Sequence, residues 1–273
     1  MKSRFEEFIS EKQYLVNVSS ATLSWYRCAL NWLPSENPTQ EELKDVVIRM
    51  RKKGLRPTGC NSFISALNTY LKWSGSSLKI GYLKEPQYVL DVFSADQIKR
   101  VTAWKPATFC QHRLKLIMLI CFDVGARIDE VLSLRVSDCD MDNLLLTLTG
   151  KGSKQRRVPF SFELRRVLYK YIADYRRRSD ALLLASRNET KLGRRVVLRD
   201  VKLRCKYLGF APPRRTLHAM RHTFAVNYLR KGGSVFHLQK MLGHTSLDMT
   251  RRYANLMTQD LSDVHQKLTL LAA

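Results

Sequence analysis

The residues with the most chemical capacity crowd the last part of this chain. His218, Arg221 and His222 lie in LHAMRH, His244 in MLGHTS and Tyr253 in TRRYANL, while Arg127 in GARIDEVLSL and Lys151 in the turn GKGSK come earlier. A tyrosine hydroxyl with a pKa near 10 is a weak nucleophile at neutral pH and needs a base or cationic surroundings; Arg251 and Arg252 stand beside this one. A guanidinium is permanently charged and can grip two phosphate oxygens at once, which suits the pentacoordinate transition state of attack at phosphorus. A lysine between two glycines can reach out and protonate a leaving oxygen, and a histidine can accept a proton or hydrogen-bond a phosphate. One tyrosine, two arginines, one lysine and two histidines therefore describe phosphoryl transfer onto a protein hydroxyl, with fixed cations in place of a metal.

Each of these residues has a plainer reading when taken alone. Tyr253 fits a helix tyrosine packed in a core, Arg127 a solvated arginine, Lys151 a turn residue and His244 a histidine in a helix-capping loop. Arg127 gains interest from its place at a helix start after Gly125, where amide dipoles add to its field, and from Glu130 one turn on, a supporting ion-pair partner. His218 and Arg221 share a helix face. His218 and His222 stand at the spacing of a helical zinc pair, but the Glu of HExxH is missing and no third ligand is clear. His222 then reads as a structural residue hydrogen-bonded inside the fold. GKGSK lacks the fuller GxxxxGK[ST] pattern and joins two strands, which argues against ATP use. No metal and no cofactor is expected.

The elements that must position these groups are mostly helical. Over residues 1–75, SSATLSWYRCALNWL places Leu23, Tyr26 and Leu30 on one face. NPTQEELKDVVIRMRKKG offers Thr39 as a cap, acids in its first turn, bases in its last and Gly54 as a stop. RPTGCNSFISALNTYLKWSG turns Phe63, Leu67, Tyr70 and Leu71 inward. Residues 76–92 read as a linker, part of it an extended segment through the alternating Leu78, Ile80 and Tyr82. From 93 to 273 a second domain opens at Ser94, continues through the apolar helix HRLKLIMLICFDVG, and forms a β-hairpin from LLLTLTGKGSKQRRVPF. It then returns to helix with a break at GFAPPRR. In the last segment Leu261, Val264, Leu268 and Leu271 form a stripe, which closes either its own domain's core or a neighbouring protomer.

Composition sets limits on what such a chain meets. With 273 residues, two domains are the natural expectation, and 45% apolar residues suffice for real cores. A net charge of +23 points to a polyanionic partner, most simply nucleic acid. The six cysteines form no CxxC pair; several lie inside apolar stretches such as ICFDVG and WYRCAL and read as buried thiols in a reducing cytosol, and no apolar run approaches a bilayer's thickness. A soluble cytoplasmic protein with no membrane partner is expected.

The ordered set Arg127, Lys151, His218, Arg221, His244 and Tyr253, with GxRxxEvLxL, HxxRHTFA, LGHxS and RRYAN around it, resembles the tyrosine recombinase (phage integrase) family, with spacings similar to Xer recombinases and mobile-element integrases. The resemblance is specific over about residues 93–260 and rests on size, helical character and charge over 1–75. It implies a mainly α fold with a small antiparallel β-sheet, in which an N-terminal helical core-binding domain and a C-terminal catalytic domain form a C-shaped clamp on DNA. It implies that Tyr253 attacks the scissile phosphate to give a 3′-phosphotyrosine while Lys151 protonates the departing 5′-hydroxyl. Arg127 and Arg221 hold the transition state, His218 and His244 assist through protons and hydrogen bonds, and strands exchange through a Holliday junction. The partners implied are double-stranded recombination sites in the nucleoid, a dimer on each site, a tetramer in synapsis and an accessory DNA-bending protein. A short N-terminal region with no arm-binding domain ahead of it favours a mobile-element integrase. Xer-like dimer resolution, type IB topoisomerase activity and a non-cleaving architectural or regulatory DNA-binding protein stay open as alternatives.

Overall fold

The computed structural model describes residues 3–85, 90–150, 152, 154–176, 178, 180–244 and 253. The chain divides into two compact units, Met1–Tyr88 and Val89–Ala273.

The first unit holds α1 (Arg4–Tyr14), α2 (Ser20–Leu30), α3 (Gln40–Lys52) and α4 (Pro57–Trp73). Each start is explained locally: Ser3 and Ser19 accept from the third amide on, Thr39 closes a capping box with Glu42, and Pro57 opens α4 where no amide donor is needed. Helix α3 ends in a Schellman turn, with Gly54 at φ +82° and the Leu55 amide donating back to the Met50 carbonyl. The apolar stripes meet around Phe8, whose ring packs edge-to-face on Tyr26 at 5.1 Å and Tyr70 at 5.4 Å. In α4 Leu67, Tyr70 and Leu71 are buried as expected, together with Ile64; Phe63, also expected inward, lies half-buried against Trp32.

The stretch read as a linker is tied down at both ends. Asn68 brackets Ile80, donating to its carbonyl at 2.9 Å and accepting its amide at 2.8 Å, and Asn61 brackets Leu83 in the same way. Ile80 thereby joins the first core, with Leu78 and Leu83 against it, while Tyr82 of the expected alternation faces solvent. At the other end Leu90 and Val92 pack within the second unit, where Asp91 accepts the Arg214 amide at 2.9 Å.

The second unit runs α5 (Ala95–Ala103), α6 (Phe109–Val124), the single turn α7 (Ile128–Val131) and a 3-10 turn (Val136–Asp138), then strands β1 (Cys139–Asp140), β2 (Leu145–Thr149) and β3 (Gln155–Pro159). It continues with α8 (Phe162–Tyr175), α9 (Arg194–Tyr207), α10 (Thr216–Arg230) and α11 (Val235–Leu242). The strands form one antiparallel sheet, β1-β2-β3, with Leu148 opposite Arg156 and Leu146 opposite Val158. The fold is mainly α with a small antiparallel sheet, as the sequence implied; β1, two residues long, was below the reach of pattern reading. Helix α6 is buried almost all round and packs against α10, which is itself buried on most of its faces. Thr223 links α10 to the start of the unit, accepting the Phe93 amide at 2.9 Å while donating to the Ala219 carbonyl. Cys121, in ICFDVG, is buried as expected, as are Cys60 and Cys205; Cys28, in WYRCAL, is exposed, contrary to the expectation, because it lies on the outer face of its helix, and Cys110 is exposed as well. Among the described residues no helix is long and apolar enough to cross a membrane.

Candidate active site

Helix α6 must stop where α7 begins, and Gly125 makes the stop. Its φ of +67° is open to glycine at little cost, and a β-carbon there would lie 2.2 Å from Phe224 Cδ1 on α10. This close approach lets the Gly125 carbonyl accept from Arg221 Nη1 at 2.9 Å. Arg221 Nη2 donates to the Leu242 carbonyl at 2.8 Å and lies 3.0 Å from His244 Nε2. One guanidinium, only 5% exposed, thus spans the C-terminal ends of α6 and α11, where unsatisfied carbonyls carry negative partial charge. Burial first, then the charge of Arg127, lowers its pKa to about 10, so the charge persists at neutral pH.

Arg127 caps α7 and is the more open arginine. Its amide donates to Glu130 Oε2 at 2.8 Å and its Nη1 to Oε1 at 3.0 Å, while 40% of its side chain stays exposed. Glu130 is buried and holds a second arginine, Arg156 of β3, whose Nη1 and Nη2 donate to its two oxygens at 2.9 and 2.8 Å. Arg156 Nε donates in turn to the Met241 carbonyl at 2.8 Å. Burial alone would raise the Glu130 pKa; hydrogen bonds from Arg156 and Arg127 more than reverse this and lower it to about 2. One carboxylate thus joins α7 to the hairpin, and Arg156 joins the hairpin to the end of α11, with more guanidinium than carboxylate charge around Glu130. Lys151 lies outside the described residues. Its neighbour Gly150 is close to this cluster: a β-carbon there would stand 3.5 Å from Glu130 Oε1.

The histidines are gathered around Tyr253, which is 4% exposed and packs with Phe224, Leu238 and Leu242. His222 Nδ1 is 2.8 Å from the Tyr253 hydroxyl. His244 stacks on the tyrosine ring at 6.3 Å between centroids, and His218 lies one turn before His222 at 6.5 Å. Burial followed by the charge of Arg221 lowers the His244 pKa to about 4, so its Nε2 accepts from Arg221. Burial followed by His218 lowers His222 to about 4 as well, and burial followed by Arg194 lowers His218. His244 directly follows Gly243 at the C-terminal end of α11, where φ is +64°; Arg251, Arg252 and the leucine stripe from Leu261 to Leu271 lie outside the described residues.

Arg127, Glu130, His218, Arg221, His244 and Tyr253 are therefore brought together, and two residues not assigned to the chemistry from sequence join them. Arg156 had a readable signal, since it is in phase with the inward Val158 and Phe160 on a strand, where a charge requires a partner. His222 was visible only as a neighbour of Arg221. Among the described residues no group of three or more His, Cys, Asp or Glu could hold a metal ion, so His218 and His222 have no third ligand there. Chemically the cluster offers a hydroxyl, neutral imidazoles and fixed guanidiniums, the requirements for nucleophilic attack on a phosphodiester.

Residues 91–260 match the phage integrase family. Tyrosine recombinase XerA of Pyrococcus horikoshii is 27% identical over 274 residues, covering 97% of this chain and 93% of that one. Tyrosine recombinase XerD of Oceanobacillus iheyensis is 31% identical over 199 residues, covering 70% of this chain and 66% of that one. The fold is shared with the Tn1549 transposon integrase in complex with transposon right end DNA, at a TM-score of 0.76 and 18% identity over 96% of this chain and 99% of that one. A lambda integrase dimer bound to a core site gives a TM-score of 0.71 at 19% identity, over 92% of this chain and 93% of that one. The chain thus belongs to the phage integrase family and is a site-specific tyrosine recombinase.

Proposed function

We propose that this recombinase cleaves and rejoins DNA through a 3′-phosphotyrosine on Tyr253. The observation that carries the proposal is one cluster in which His222 meets the Tyr253 hydroxyl, His244 stacks on its ring, Arg221 bonds His244 and Arg127 lends its charge. Arg127 and Arg221 would hold the non-bridging oxygens of the transition state, where a preorganised donor is typically worth about 2–4 kcal/mol. His218 and His244 would assist by hydrogen bonds, and Lys151 would protonate the departing 5′ oxygen. The phosphotyrosine conserves the bond energy, so the 5′-hydroxyl of a partner strand reverses the step without metal or ATP. Strands then exchange through a Holliday junction between two sites, each carrying a dimer, in a nucleoid-bound tetramer. The first unit would add backbone contacts from its basic surface, which position a protein on DNA without reading sequence.

The biological role we carry forward is integration and excision of a mobile element, with an accessory DNA-bending protein as a further partner. Similarity to XerA over nearly the whole chain favours a second reading, resolution of chromosome or plasmid dimers. Trapping the covalent adduct on sheared total DNA of the source organism in EDTA, then sequencing the attached DNA, tests both. Adduct at the ends of a mobile element supports the first role, and adduct at a single chromosomal site supports the second. DNA binding with no adduct on any DNA would overturn the cleavage reading and leave a non-cleaving DNA-binding protein.

A further inference from the structure

His222 sits on the rigid, largely buried α10, directly after the clamped Arg221, and its Nδ1 lies 2.8 Å from the Tyr253 hydroxyl. The two rings are tilted by 50° with centroids 5.6 Å apart, so the imidazole meets the hydroxyl through its nitrogen rather than by stacking. Building on the reading of Tyr253 as nucleophile, we infer that His222 is the residue that takes the tyrosine proton during DNA cleavage. In the step, the proton on Oη passes to His222 Nδ1 and Oη forms the new bond to phosphorus. The bond from phosphorus to the 5′ oxygen breaks, and that oxygen leaves with a proton from the general acid. Nδ1 can accept only when the neutral ring carries its hydrogen on Nε2. Burial together with the charges of His218, Arg221 and Arg215 keeps the ring neutral in the free protein, with the lone pair ready. An arriving phosphodiester anion offsets that cationic field, so the base strengthens when substrate is bound. His218, one turn earlier, is then left to hydrogen-bond the phosphate.

The test compares wild type, His222→Ala and His222→Asn on a suicide substrate, following single-turnover adduct formation alongside DNA binding and thermal melting. Asparagine keeps a hydrogen-bonding group near Nδ1 but cannot take up the proton. The expected result is a rate loss of about 10²–10⁴-fold in both variants, the usual range for a general base, with DNA binding retained and the protein still folded at the assay temperature. A substrate with sulfur at the bridging 5′ position, which leaves without a general acid, should not restore either variant. Wild-type rates in His222→Ala, full rescue by His222→Asn, or rescue by the sulfur substrate would each overturn the assignment. Absence of adduct in wild type itself would instead defeat the recombinase reading on which the inference stands.

Discussion

Replacing Glu130 by glutamine tests the keystone of the site, because one buried carboxylate organises two guanidiniums. A shift of its pKa from 4.5 to about 2 corresponds to roughly 3 kcal/mol at about 1.4 kcal/mol per unit. That figure agrees with the ~3–5 kcal/mol typical of breaking a buried ion pair from one side. Since the folded pKa is depressed, the contribution is fully present above pH 4.5 and is lost as pH falls toward about 2. Glutamine would also point an amide donor at a guanidinium donor. For a unit of this size the loss lowers the melting temperature by about 6–12 °C. Thermal melting of the two proteins at pH 7 measures it, and repeating the pair near pH 3 should shrink the difference by roughly half. Displacing Arg127 by an ångström should also slow adduct formation by about 10²-fold. A melting temperature within a degree or two of wild type, with adduct formation intact, would refute the keystone role.

Gly125→Ala forces a β-carbon into Phe224 at a φ of +67°; left-handed strain and overpacking together should cost about 2–5 kcal/mol. An unchanged melt would show that α6 and α10 can separate freely at this point. His222 and His244, both depressed to about 4, bind protons more readily in the unfolded chain, so their contribution is complete above pH 6.5 and is lost as pH falls toward 4. Chemical denaturation across that window should show falling stability in wild type and a flatter profile in a His222→Gln, His244→Asn double variant; parallel profiles would disprove the link. Arg221→Lys keeps a charge but cannot span the ends of α6 and α11, and it should lose about 10²–10³-fold in adduct formation with DNA binding retained. A lysine variant of wild-type speed would remove Arg221 from the clamp.

Much of this site was legible in the sequence because its residues sit in short runs whose local structure is strongly determined. Gly125 ends an apolar helix, Ser94 and Thr39 cap theirs, and HAMR puts His218 and Arg221 on one helix face whatever the tertiary fold. What escaped were long-range pairings. Arg156 meets Glu130 on α7 and Met241 on α11, and periodicity shows that Arg156 points inward but not what it meets. His222 was assigned a structural hydrogen bond, and its partner is the Tyr253 hydroxyl. Tyr82 carried the right alternation yet faces solvent, because Asn61 and Asn68 set the segment's register through its backbone instead.

The most direct test of the account is to identify the atom that carries the DNA. Trapped adduct formed in EDTA is digested with nuclease and trypsin, and the nucleotide-bearing peptide is sequenced by mass spectrometry. The account predicts one modified peptide, beginning at Tyr253 after Arg252, with the nucleotide joined through its 3′-phosphate to the tyrosine oxygen and no adduct from Tyr253→Phe. A nucleotide on any other residue, a 5′-phosphate linkage, or an adduct that persists in Tyr253→Phe would contradict it.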